Sequence, residues 1–64
     1  MKYTLNDFEI TKDAFDKVFD LYESEHSMHL MFHVHYVQDG NPIERWLFND
    51  DTCGCVKILE KVED

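Results

Sequence analysis

The sequence predicts a small two-layer α+β domain in the order helix, β-hairpin, helix (αββα), with a short N-terminal strand completing a three-stranded antiparallel sheet. Three observations lead there. Apolar residues between Thr11 and Glu25 recur at helical spacing. Met28–Val37 alternates and runs into a turn-rich tract. The segment after Thr52 returns to helical spacing. At 64 residues the chain lies well below the common domain size, so residues 1–64 form a single domain.

Each element has its own warrant. Tyr3-Thr4-Leu5 is the N-terminal strand, because a lone hairpin is marginal in water. Thr11 is a suitable N-cap for the first helix, and Asp13 stands in the first turn, where the helix dipole favours an anion. Ala14, Phe15, Val18, Phe19, Leu21 and Tyr22 form its apolar side. In the strand Met28–Val37, Met28, Leu30, Phe32, Val34 and Tyr36 alternate with His29, Met31, His33, His35 and Val37. Gln38-Asp39-Gly40-Asn41-Pro42 supplies the turn, and Ile43–Phe48 the return strand. A five-residue loop pairs Val37 with Ile43, Val34 with Trp46 and Phe32 with Phe48. A slip of one residue would move Trp46 and Phe48 to the histidine face. In Thr52–Asp64, Cys55, Ile58, Leu59 and Val62 share one sector of a helical wheel opposite Lys57, Glu60, Lys61 and Asp64. As a strand it would place Lys57 and Lys61 on a face with Cys55 and Leu59, which favours the second helix.

Charge excludes several functions. Fourteen acids against six bases give a formal net charge of −8. Arg45 and five scattered lysines make no basic patch for direct nucleic-acid binding. An acidic chain is repelled by anionic lipid, and no apolar run suits a membrane span. The segment Met1–Asp7 has no apolar signal region, so a cytoplasmic location is expected. No phosphate loop, nucleophile elbow or zinc-protease motif occurs, and no enzymatic activity is expected.

Two surfaces carry the functional expectations. Asp13, Asp16, Asp20 and Glu23 fall in one row on the first helix, with neighbouring Cβ atoms about 5–6 Å apart. Phosphates along a nucleic-acid strand are spaced on a similar scale, so the row is a candidate mimic of one. The plainer reading is a solvated helix face, which Lys12 and Lys17 partly neutralise. The second surface is a sheet face expected to carry Met31, His33, His35, Arg45 and Leu47 with Val37 and Ile43, apolar enough for a homodimer seam or a docking site. The competing reading has a helix covering that face.

Cysteine and histidine raise a metal alternative. His33 and His35 stand two apart on a strand, and Cys53 and Cys55 could add thiolates for zinc. Cys-x-Cys is a weaker signal than paired Cys-x-x-Cys, and the cysteines lie across a turn, so no cofactor is expected. Asp50 and Asp51 oppose thiol activation, leaving small apolar side chains as the plainer role. The expected function is a small acidic non-enzymatic binding protein that occupies a basic surface of a partner protein. It would act as an inhibitor or antitoxin-like factor of phage or mobile-element type. The alternative is a metal-binding or metal-sensing domain.

Overall fold

The computed structural model describes residues 1–64 as five strands and one helix. In chain order these are β1 (Lys2–Leu5), β2 (Phe8–Ile10), α1 (Lys12–Ser24), β3 (Met28–Gln38), β4 (Asn41–Asp50) and β5 (Cys55–Val62). The strands make one sheet in the order β2-β1-β5-β4-β3, and every neighbouring pair is antiparallel. The predicted αββα arrangement is therefore wrong: there is one helix, and the segment read as a second helix is the central strand of the sheet.

The cause lies in β5 itself. Cys55, Lys57, Leu59 and Lys61 alternate with Val56, Ile58, Glu60 and Val62, so apolar groups occur on both faces. A strand with neighbours on both sides needs that pattern, and β-branched Val56, Ile58 and Val62 suit a pleated surface. Lys57 and Lys61 do share a face with Leu59, opposite Phe48 and Glu44 on β4. Lys61 brings its ammonium over the Trp46 ring, with Nζ 6.0 Å from the ring centroid.

Helix α1 is where the sequence places it. Thr11 has extended backbone angles, and its Oγ1 accepts a hydrogen bond from the Ala14 N–H at 3.1 Å. Its aromatics descend one sheet face in steps. Phe15 meets Tyr3 and Trp46, Phe19 meets Trp46 and Phe48, and Tyr22 meets Phe48, with ring centroids 5.0–6.0 Å apart. Phe15, Trp46, Phe48 and Leu59 are the buried centre of this core.

The turns fix the register. Asn6 and Asp7 take positive φ between β1 and β2, a short hairpin that the sequence reading missed. The Asn6 side chain accepts from the Ile58 N–H at 2.7 Å, pinning that turn to β5. Between β3 and β4 the loop is two residues, Asp39 and Gly40, with φ of 53° and 81°. Gln38 thus pairs with Asn41, Val37 with Pro42 and His33 with Trp46. That is the one-residue slip from the expected pairing, so Trp46 lies on the histidine face rather than with Phe32 and Val34. The register shifts again between Leu30 and Phe32, where a bulge brings Leu30 opposite Phe48.

Candidate functional site

The helix covers only one face of the sheet. The other face is built from Phe32, Val34 and Tyr36 of β3, Ile43, Arg45 and Leu47 of β4, and Val56, Ile58, Glu60 and Val62 of β5. These side chains share a face because each stands directly opposite the next across the ladder. Phe32 is 62% exposed, Val34 41% and Val56 47%, high values for apolar groups gathered on one surface. The charges at its centre cancel: Arg45 Nε donates to Glu60 Oε2 at 2.7 Å, and the guanidinium lies 6.0 Å from the centre of the Tyr36 ring.

The predicted sheet-face set is split by this geometry. Arg45, Leu47 and Ile43 do lie on the uncovered face. His33, His35 and Val37 stand on the helix side, and Met31 falls in the register break between Leu30 and Phe32. Phe32, Val34 and Tyr36 take their place on the open face, a swap that follows directly from the two-residue loop. The Asp-Gly dipeptide was the available signal.

On the helix side, the histidines form a corner beyond the aromatic core. His35 stands opposite Glu44 and His33 opposite Trp46. His33 Nε2 lies 2.6 Å and His35 Nε2 3.1 Å from the same carboxylate oxygen, Glu44 Oε2. Lys61 Nζ lies 3.4 Å from the other oxygen, Oε1. The His33 ring is stacked on Trp46 with centroids 5.0 Å apart and planes 9° from parallel. Partial burial pushes the Glu44 carboxyl up. The hydrogen bond to His33, the charge of His35 and the Lys61 ammonium outweigh that and hold it below its usual range. The sequence reading named both histidines but not Glu44, whose role depends on the register.

The thiols do not join this corner. Cys53 and Cys55 sit at the β4–β5 turn, joined as a disulfide with Cα atoms 5.2 Å apart. Asp50 pairs with Cys55, whereas Glu44 pairs with His35, six residues away along β4, or about 20 Å at the rise of a strand. The four-residue set His33, His35, Cys53 and Cys55 is thus spread over opposite ends of the sheet. His29 binds Asp51 at 2.7 Å near the cysteine end.

The acidic row is displayed as its spacing implies. Asp13, Asp16, Asp20 and Glu23 are all exposed on α1, with Asp16 and Asp20 bordering a cleft lined by Phe15, Phe19 and Trp46, and only Asp16 is paired, to Lys12 Nζ at 2.8 Å. No helix is long and apolar enough to cross a membrane. Comparison with known proteins gives no match at the level of a family model, a curated sequence or a solved structure.

Proposed function

We propose that the chain is a small acidic, non-enzymatic binding protein that pairs with a second copy through the open sheet face and presents its helix to a basic protein partner, as an inhibitor would. The observation that carries the reading is the separation of charge from apolar surface. The acids of α1 are exposed on the helix side of the sheet, while the uncovered face holds an apolar field around a neutralised Arg45–Glu60 pair.

A second copy is the occupant that suits this face. Two chains of net charge −8 repel, and they meet at least cost where each is neutral and apolar. Same-surface pairing about a two-fold axis needs only one self-complementary patch. It would also send the two acidic helices to opposite outer surfaces. The free edge of β3 is a less suitable seam, because the bulge at Leu30/Phe32 re-aims it. The outward row Asp13, Asp16, Asp20 and Glu23 then offers charge spaced for a basic groove of the nucleic-acid-binding kind. A cytoplasmic setting belongs to the same proposal, and in that compartment the Cys53–Cys55 pair would stand reduced.

Sedimentation equilibrium tests the reading. Wild type is expected at twice the chain mass, and Leu47→Glu at the monomer mass, because it buries an unpaired charge in the seam. Asp16→Lys combined with Asp20→Lys is expected to remain dimeric, since that row lies on the far side. A monomeric wild type at high concentration, or a dimeric Leu47→Glu variant, would overturn it.

A further inference from the structure

We propose that His33, His35 and Glu44 form a site for one divalent cation of the zinc class, with three protein ligands and one open position. The proposal is independent of the pairing of copies, because these residues lie on the opposite face of the sheet from Leu47.

The first support is convergence. His33 and His35, Glu44, and their potential ligand atoms come within 4.8 Å of one another, and theirs is the only such trio of histidine, cysteine or carboxylate side chains in the chain. The strand ladder sets this up: positions 33 and 35 share a face of β3, and Glu44 stands directly across from His35. Ligand bonds of about 2.0–2.1 Å in a tetrahedral arrangement require donor atoms a little over 3 Å apart. The two Nε2 atoms lie 2.6 and 3.1 Å from Glu44 Oε2, so a cation needs only a small outward shift of ends that are free to move. The His35 side chain is 68% exposed, which allows that shift.

Supporting groups fit the same assignment. Lys61 occupies Glu44 Oε1 and leaves Oε2 as a single ligand oxygen. Trp46 holds the His33 ring by stacking and shields one side of the corner. Two imidazoles and a carboxylate are a borderline donor set, which favours zinc over calcium or magnesium. The net charge of −8 draws cations to the surface. A site with three protein ligands keeps a position for water or for a donor from a partner.

Titration calorimetry of the full chain with zinc chloride tests this. Wild type is expected to bind one equivalent. His35→Ala and Glu44→Gln should each lower affinity by more than the about 10–100-fold that loss of an outer supporting group causes. His35 is exposed and Glu44→Gln is isosteric, so the fold should persist, with circular dichroism as the check. Cys53→Ser combined with Cys55→Ser should bind as wild type does. No zinc uptake by wild type would overturn the proposal and leave the trio an ion pair. Equal uptake by the His35 and Glu44 variants, or loss of uptake in the cysteine variant, would overturn it too.

Discussion

Leu59 shows how much rests on single side chains in a chain this short. It is 0% exposed at the middle of the central strand, opposite Trp46 on one side and Leu5 on the other. Leu59→Ala is expected to cost about 3 kcal/mol, through lost burial and the cavity left behind. That is a large share of the stability available to a domain of this size. Urea unfolding should show a lower midpoint with an unchanged slope. A loss below about 1 kcal/mol would mean the core closes over the gap. The same residue explains a misreading. Beside Leu59, Lys57 and Lys61 look out of place on a strand when residues are taken as simply polar or apolar. Lys61 fits because its ammonium sits over the Trp46 ring and beside Glu44. Glu44 was invisible as a partner of His33 and His35 for a different reason: eleven and nine residues separate it from them, and only the register brings it across.

At the level of elements, α1 was legible because its cap, its charged side and its aromatic stripe all lie within Lys12–Ser24 and its N-cap. The strand character of β3 and β4 was legible for the same reason, in their β-branched and aromatic alternation. β5 was not, since apolar residues on both faces fit a helical wheel and a central strand alike, and tertiary pairing decides between them. The register turned on one dipeptide. Asp39 and Gly40 both take positive φ, and that two-residue turn moves Phe32, Val34 and Tyr36 to the open face and His33 and His35 to the helix side. Gly40→Ala should therefore destabilise by about 1 kcal/mol or more, all of it from backbone strain, because the added Cβ meets nothing within 4 Å. Thermal unfolding followed by circular dichroism measures the loss. An unchanged midpoint would mean that the turn is not of this type.

For the whole molecule, the arrangement is one of sides. A helix layer carries the acids outward, its aromatic underside makes the core with one face of the sheet, and the far face remains apolar with its central charges paired. The sequence disclosed the ingredients, an acidic helix row and a sheet with more apolar residues than one helix could cover. It assigned several of them to the wrong face, because each one-residue change of register inverts a strand. The division into sides predicts where a second copy makes contact. An isotope-filtered NOE spectrum of mixed labelled and unlabelled chain reads that contact directly. The expected cross-peaks join the methyl groups of Val34, Leu47 and Ile58 in one copy to the Phe32 and Tyr36 rings of the other, with none from Leu21 on α1. A sample that sediments as a dimer but gives cross-peaks confined to α1, or none from the open face, would contradict it.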